Sequence, residues 1–201
     1  MADDLLHALN GRLLLVRIGT DDVASPGVFR RILVGLDGSE GAERALDGAR
    51  ALARRGKSTL VLARVLSPMV GTYNLGLADV LTLIDDAATQ SAVDDANQYL
   101  DDIAEAIRRE DGLDVETVVE IASGVSPRSA AARQLARISR DRRIDLVSLT
   151  TRKRGSSRLL LRSVADRVLR DTHCALLLCD GRPATVVTGP SRHEPAAVTI
   201  V

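Results

Sequence analysis

Five short strand-like runs, four of them mainly apolar and one (115–122) with partial alternation, constrain the fold of this chain most strongly, and segments of helical periodicity separate them. Each run is seven or eight residues long, shorter than a typical helix, and turn or polar residues bound it. Such runs are typical of parallel strands that are buried on both faces. The alternation of strands and helices therefore predicts an α/β fold, a five-stranded parallel doubly wound sheet with helices on both faces. The predicted strands are residues 30–37, 59–66, 115–122, 144–150 and 174–180.

The segments between these strands carry helix and loop signals. Apolar residues at helical spacing predict helices over residues 39–55, 79–110, 126–142 and 158–170. Residues 67–76 contain one proline and two glycines, which predicts a loop. That loop is longer than most connections between elements, and long loops are often functional.

The two ends of the chain differ in composition from the part between them. Residues 1–29 hold one apolar run followed by turn residues, which predicts either an added edge strand or a loosely docked arm. Residues 182–201 contain several prolines and predict a flexible C-terminal tail. The predicted domain therefore spans residues 30–181.

The composition argues against several classes of partner. The chain has 27 Lys and Arg, 27 Asp and Glu, two tyrosines, one phenylalanine and no tryptophan. With no net charge and few aromatic faces for base stacking, we expect no nucleic-acid partner. No apolar run is long enough to span a membrane, and the acidic first residues are unlike those of a secretory signal. We therefore expect a cytoplasmic protein with no membrane partner, in which both cysteines are reduced thiols.

Charge is unevenly distributed along the chain. Residues 71–120 contain 13 acidic residues against two arginines, a balance of −11. Residues 128–170 contain 13 basic residues against three aspartates, a balance of +10. This pattern indicates either two solvated faces of opposite sign, or a basic segment that pairs with another subunit or binds an anion.

The sequence offers no catalytic or metal-binding arrangement. It contains no GxSxG elbow and no plausible catalytic triad, and its three histidines lack the spacing of metal ligands. Cys174 and Cys179 are five residues apart, so on a strand they face opposite sides and are predicted to be small buried apolar residues. The segment RRGKST (54–59) resembles half of a phosphate-binding loop, but it ends a predicted helix, whereas such a loop begins one. We therefore expect no catalytic residue and no metal site.

Two segments are candidate binding sites, and each has an alternative structural role. Asp37 follows the first strand at a helix start, where it could accept a hydrogen bond from a ribose hydroxyl or an adenine amine, or help Ser39 to cap the helix. After the fourth strand, Arg152, Lys153 and Arg154 precede a Gly-Ser-Ser turn at a helix start. Free N–H groups and cations at a helix start suit an anion, although an exposed basic turn has the same pattern.

Residues 30–181 resemble the universal stress protein family. The resemblance rests on RRILVGLDGSEGAERAL (30–46) and on IDLVSLTTRKRGSSRLLLRSVADRVLRDTHCALLLCD (144–180). It implies an adenine-nucleotide alpha-hydrolase-like fold with strand order 3-2-1-4-5, in which the order switches between strands one and four. It also implies a homodimer, often formed through the last strand. The dimer residues so implied are Ala175, Leu176, Leu177, Leu178 and Cys179.

Family members that bind ATP carry a G-x2-G-x9-G-[ST] loop after the fourth strand, and this chain departs from it. The pattern can be aligned with this chain by counting back from its end or forward from the fourth strand. The two alignments differ by one residue, so the loop is one residue shorter than the pattern, and in neither alignment does a glycine position hold a glycine. Because glycine lets a phosphate approach the backbone, the same cradle is not expected here. The glycine positions fall on Leu149, Arg152 and Arg162 in the first count and on Thr150 and Lys153 in the second, and Ser163 alone matches.

The adenosine half of the site is better retained. By the same resemblance, Asp37 is kept, and Val65 stands where ATP-binding members place an adenine contact after the second strand. The basic side chains of Arg152, Lys153, Arg154 and Arg162 could hold phosphates in a different pose.

The resemblance therefore implies a homodimeric stress-response or regulatory protein that acts by interaction, with weak or no ATP binding. The alternative is an adenine-nucleotide-binding stress protein in which Arg and Lys side chains hold the phosphates of ATP, with Mg, or of another adenylate. An adenylate-forming enzyme is a third class, but its HxGH-like and SGGxDS-like motifs are absent. We expect no enzymatic activity beyond weak ATP hydrolysis. Residues 1–29 could block the dimer edge or reach the ligand cleft.

Overall fold

The computed structural model describes residues 12–15, 29–68, 70–74, 80–84, 86–122, 127–151 and 164–180. Strands and helices alternate along most of this length. The strands are β1 (Arg12–Leu15), β2 (Arg31–Leu36), β3 (Thr59–Leu66), β4 (Val70–Asn74), β5 (Val80–Ile84), β6 (Val115–Ile121), β7 (Leu146–Thr151) and β8 (Ala175–Asp180). The helices are α1 (Glu40–Gly56), α2 (Asp86–Asp111), α3 (Pro127–Asp141) and α4 (Val164–Asp171).

The main sheet has the strand order β1-β8-β7-β2-β3-β6. The five strands from β8 to β6 are parallel to one another, and in sequence order they read 3-2-1-4-5 from β6 to β8. The predicted doubly wound sheet is therefore confirmed. A sixth strand, β1, pairs antiparallel with β8 at the edge.

The core consists of two apolar layers, one on each face of the sheet. Alternate strand residues enter opposite layers, so Ile32 and Val34 face one layer and Leu33 faces the other. Residues of α1 and α2 complete the first layer, and residues of α3 and α4 complete the second. Both faces of the sheet are thus covered, as expected for parallel strands made of apolar runs.

Local sequence signals set the ends of α1. The Ser39 hydroxyl accepts a hydrogen bond from the Ala42 N–H at 3.2 Å, which caps the helix start. Gly56 is the last helical residue, but the left-handed residue after it is Lys57, with φ 53°. Because β3 begins at Thr59, residues 54–59 form a helix-to-strand turn and not a phosphate-binding loop, as predicted.

The segment between β3 and α2 differs from the prediction. Residues 67–76 were expected to be a loop and 79–110 helical, but β4 and β5 pair as an antiparallel two-stranded sheet and α2 begins only at Asp86. The sequence VLTLI of β5 also fits helical spacing, so its period did not discriminate between the two structures. Its β-branched residues favour the extended backbone, as do those of β4.

The two cysteines lie on opposite faces of the sheet, as predicted. Cys179 is buried in the layer under α1, whereas Cys174 packs against the layer under α3 and α4. Burial raises the pKa of the Cys174 thiol. Both cysteines therefore act as small apolar residues of the core.

In the described part of the chain, no helix combines the length and the apolar character that crossing a membrane requires.

Candidate functional site

The candidate site lies at the carboxyl ends of β2, β3 and β7, where the strand order switches. Leu36 pairs with Arg64, so Asp37 and Val65 are the first residues beyond that pair on neighbouring strands. On the other side of β2, Thr150 lies in the last part of β7, which is parallel to β2. Ligands of open α/β sheets bind outside the carboxyl ends of the strands at such a switch.

The structure thus brings three of the predicted site residues to one end of adjacent strands. Val65 is half-buried against the core layer of α3, and Asp37 is exposed. The remaining five residues are not placed. Arg152, Lys153, Arg154, Arg162 and Ser163 lie outside the described residues.

A tight turn links Asp37 to the start of α1. One carboxylate oxygen of Asp37, Oδ1, accepts hydrogen bonds from the Ser39 N–H at 3.1 Å and the Ser39 hydroxyl at 2.5 Å. Gly38 between them has a φ of +80°, a conformation that few residues other than glycine adopt easily. Asp37 therefore has the structural role that the sequence allowed, since it orients the serine that caps the helix.

Arg64 is a site residue that the sequence reasoning missed. Its guanidinium lies beside the turn, because a Cβ built on Gly38 would stand 2.9 Å from Arg64 Nη2. The same guanidinium lies over the ring of Tyr99, 5.2 Å from the ring centroid, in a cation–π contact. The available signal was a charged residue inside an apolar strand, the Arg of TLVLARVL. A cation is thus held at the carboxyl end of β3.

Tyr99 supports this arrangement from α2. Its hydroxyl donates a hydrogen bond to Glu43 Oε1 at 2.9 Å, which joins α2 to α1. Burial raises the pKa of the Tyr99 phenol well above its ordinary value, and the hydrogen bond and charge of Glu43 raise it further. The positive charge of Arg64 lowers the pKa of Tyr99, but by less than burial and Glu43 raise it. The raised pKa therefore keeps Tyr99 a neutral hydrogen-bond donor at pH values where an ordinary tyrosine begins to ionise.

We expect this shift to be visible by ultraviolet titration of a Tyr73→Phe variant, in which Tyr99 is the remaining tyrosine. At about pH 10, where an ordinary tyrosine is half ionised, the folded variant should show little tyrosinate. Because folding raises this pKa, its contribution to stability is full below the unfolded value and is lost as the pH rises through the folded one.

A further Glu43→Gln change should lower the pKa of Tyr99 towards the ordinary value, because it removes the acceptor's negative charge. Urea-unfolded Tyr73→Phe protein provides the reference titration. A folded-state midpoint equal to that reference would contradict the role given to burial and to Glu43.

The end of β7 is tightly integrated into the sheet and core. Leu149 is buried, and a Cβ on Gly35 of the neighbouring strand would overlap its Cδ2 atom. The Ser148 hydroxyl donates a hydrogen bond to the Ala45 carbonyl at 2.9 Å, which ties β7 to α1. Thr150 pairs with Cys179 in the parallel ladder. Up to Thr150, therefore, this segment is strand and core.

The residues implied at a dimer interface lie in β8. They pair on one side with β7 and on the other with β1. The edge of β8 that another subunit could approach is therefore already paired within the chain, and a dimer through this strand remains a prediction.

Comparison with known proteins agrees with this fold. A model of the universal stress protein family matches residues 29–180. The chain belongs to the universal stress protein family. The match covers all five parallel strands and every site residue considered above, and it begins after β1.

Solved structures of universal stress proteins share the fold. One from Burkholderia pseudomallei is 27% identical, with a TM-score of 0.52, over 74% of this chain and 93% of that one. UspA from Lactobacillus plantarum is 17% identical, with a TM-score of 0.56, over 76% of this chain and 98% of that one. A universal stress protein solved in complex with cAMP is 18% identical, with a TM-score of 0.53, over 77% and 99%.

Proposed function

We propose that this universal stress protein is a stress-response or regulatory protein that acts by interaction and binds ATP weakly or not at all. One observation carries the proposal. From the end of β7 onward, every position where ATP-binding members carry a glycine holds a residue with a side chain. A phosphate cradle made of backbone N–H groups needs the close approach that glycine permits, and side chains at those positions oppose it.

The surroundings of the first such position support this proposal. If the pattern begins at Leu149, its side chain is buried against Gly35 and belongs to the core. If it begins at Thr150, that residue is extended and pairs with Cys179. In both counts the backbone that would begin the cradle is engaged in the sheet.

The alternative function, adenine-nucleotide binding through basic side chains, is favoured by Arg64. This guanidinium lies beside the turn of Asp37, at the end of the sheet where Val65 offers an apolar contact. Asp37 could accept from a ribose hydroxyl, while Arg64 and the arginines after β7 could face the phosphates. The related fold solved with cAMP makes cAMP a suitable probe beside ATP with Mg.

Further parts of the proposal concern assembly and setting. We propose a homodimer through β8, formed when the edge of that strand is free. We also propose a protein of the cytoplasm without a nucleic-acid partner, and without catalytic turnover beyond weak ATP hydrolysis.

Titration calorimetry of the purified full chain tests the proposal. We expect no saturable heat with Mg-ATP or with cAMP at nucleotide concentrations up to about 1 mM, the limit of weak binding. Saturation by ATP in the micromolar range would overturn the interaction proposal in favour of the alternative.

If nucleotide does bind, two variants that each lose four positive charges test whether basic side chains hold the phosphates. Replacing Arg152, Lys153, Arg154 and Arg162 with alanine should then abolish binding, because those cations would replace the backbone cradle. The matched control removes four charges at exposed positions elsewhere, and it should leave the affinity unchanged. Equal affinity of both variants would contradict the side-chain mechanism. The control positions are Arg55, Arg109, Arg137 and Arg140.

A further inference from the structure

The antiparallel strand β1 lies outside the part of the chain that the family model matches, and it covers one edge of the sheet. The family match begins at residue 29, whereas β1 comprises Arg12–Leu15. Leu14 is partly buried against the core layer that contains α1 and Leu177. The parallel sheet would otherwise end in β8, whose outer edge is paired with β1.

Without β1, the edge of β8 would be strongly prone to pairing. The residues from Ala175 to Cys179 are apolar and buried, and the segment contains no charge, proline or glycine. Natural sheets protect such edges, because unpaired N–H and C=O groups on a flat apolar strand recruit another strand. On the other side of this strand, Gly48 lets α1 pack closely on Leu177. The outer edge of β8 would therefore pair readily with another strand if β1 were absent.

The sequence of β8 suits a second copy of itself. Two antiparallel β8 strands related by a twofold axis at Leu177 would place Leu177 opposite Leu177 of the other copy. Leu176 would then oppose Leu178, and Ala175 would oppose Cys179, so small residues flank three leucine pairs. Such a pairing is isologous, which is the common geometry of homodimers.

β1 reproduces the central part of that partner within the chain. In the twofold pairing, Leu176, Leu177 and Leu178 of the second copy would lie, in that order, opposite Leu178, Leu177 and Leu176 of the first. In the structure three leucines of β1 occupy those positions in the same chain direction. The observed pairs are Leu13 with Leu178, Leu14 with Leu177, Leu15 with Leu176, and Arg12 with Cys179.

We propose that β1 is a guard strand that mimics β8 of a second copy. While β1 is paired, the chain is a monomer, and when β1 is displaced, two copies associate through their β8 strands. This inference rests on the dimer of the proposed function and adds the segment that controls it.

The guard has a concentration advantage over a second copy. Because 15 residues connect β1 to β2, β1 competes at an effective concentration in the mM range, whereas a second copy is present at its solution concentration. The guarded state therefore dominates in dilute protein. A two-copy pairing would contain five residue pairs per strand from Ala175 to Cys179, against the four pairs of β1, which lets it form once β1 is disabled.

The first test measures mass in solution for the full chain and for a Leu13→Pro/Leu14→Pro variant. Proline cannot donate a hydrogen bond to the ladder. Because the N–H groups of successive residues in an antiparallel strand point alternately towards and away from the partner strand, one of two adjacent prolines always removes a ladder donor. At about 100 µM, a tenth of the mM effective concentration, we expect a wild-type monomer of 21.5 kDa and a variant of twice that mass. The control is Ala8→Pro/Leu9→Pro, in the same N-terminal segment but outside β1, which should remain a monomer.

A second test identifies the interface by cross-linking. In the Leu13→Pro/Leu14→Pro variant, an added Ala175→Cys change places a thiol opposite Cys179 of the second copy, within disulfide reach. Within one chain these positions are about 13 Å apart along the strand, too far to bridge. Mild oxidation should give a covalent dimer, and a further Cys179→Ser change should abolish it.

A disulfide between β1 and β8 should keep the protein monomeric. An Arg12→Cys change places a thiol opposite Cys179 within the chain, so oxidation should form an internal disulfide and hold the monomer.

Three results overturn the proposal: a wild-type dimer, a proline variant that stays a folded monomer, or a proline-variant dimer that does not form the Ala175→Cys cross-link. Tight ATP binding by a guarded monomer would instead overturn the proposed function and leave the guard strand intact.

Discussion

Leu149→Ala should destabilise the protein by about 3 kcal/mol, but by clearly less in a chain that also carries Gly35→Ala. Leu149 is buried in the layer of α3 and α4, so its truncation leaves a cavity beside β2. Gly35→Ala alone should cost about 1–3 kcal/mol, because its Cβ would overlap Leu149 Cδ2 in a packed core. In the double variant that Cβ enters the space that Leu149 vacated.

Denaturant unfolding of the wild type, both single variants and the double variant measures this coupling. We expect the double variant to be more stable than the sum of the single effects predicts, by about 1–2 kcal/mol. The control cycle pairs Gly35→Ala with Leu62→Ala, a buried residue of the opposite layer, and should be additive. Additivity of the Gly35 and Leu149 pair would contradict the close packing.

The result bears on function as well as stability. Strong coupling would mean that the end of β7 is built as core, at the position where the family resemblance would begin a glycine-bearing phosphate loop. It would therefore support the proposal that ATP is bound weakly or not at all. Weak coupling would indicate loose packing around Leu149, and the backbone there could then move towards a ligand.

The sequence predicted the five-stranded sheet because four of its strands are short, mainly apolar runs and the other, β6, shows partial alternation. A parallel strand buried on both faces needs no pairing information to be recognised, and β2, β3 and β8 are of this kind. The strand order came from the family resemblance, since nothing in a single run specifies its neighbours. The hairpin of β4 and β5 was missed because its short strands also fit helical spacing.

The site was predicted less completely than the fold. Asp37 could be found because it follows a strand and precedes a helix in one continuous segment. The role of Arg64 depends on Tyr99 of α2 and on Gly38 after another strand, and such contacts between distant segments have no local signal. Similarly, an edge strand was one of two predicted alternatives for residues 1–29, but its partner β8 lies more than 150 residues away.

An ion-pair cluster at the end of α2 gives the second large effect. The Asp111 side chain is only 3% exposed and accepts a hydrogen bond from Arg50 Nε, while Arg54 Nη1 lies 3.3 Å from its other oxygen. Arg50 also donates to Glu110 at 2.8 Å. These contacts join the C-terminal part of α1 to the last turn of α2, so the cluster holds the two helices of one layer together.

Asp111→Asn keeps the shape but removes the charge, and it should cost about 2 kcal/mol at neutral pH, the scale of a hydrogen bond to a charged group. The hydrogen bond from Arg50 lowers the pKa of Asp111 most, and the charges of Arg50 and Arg54 add to the effect. A carboxyl whose pKa is lowered by folding contributes stability that is present above the unfolded pKa of about 3.9 and is lost as the pH falls through the folded pKa. The difference between wild type and Asp111→Asn should therefore be full at pH 7 and shrink in acid.

Urea unfolding of both proteins over a series of pH values from neutral into the acid range measures this difference directly. Glu116, whose pKa is lowered by Arg31 and Arg142, also loses stabilisation in acid, but it does so equally in both proteins and cancels in the comparison. The control is Asp95→Asn on the exposed face of α2, which should change stability by less than about 0.5 kcal/mol. A difference for Asp111→Asn that stayed constant down to the lowest pH would show that the amide loses packing or hydrogen-bond geometry and not charge. Loss of the difference in acid would show that the Asp111 carboxylate, in its ionised form, is what ties α1 to α2.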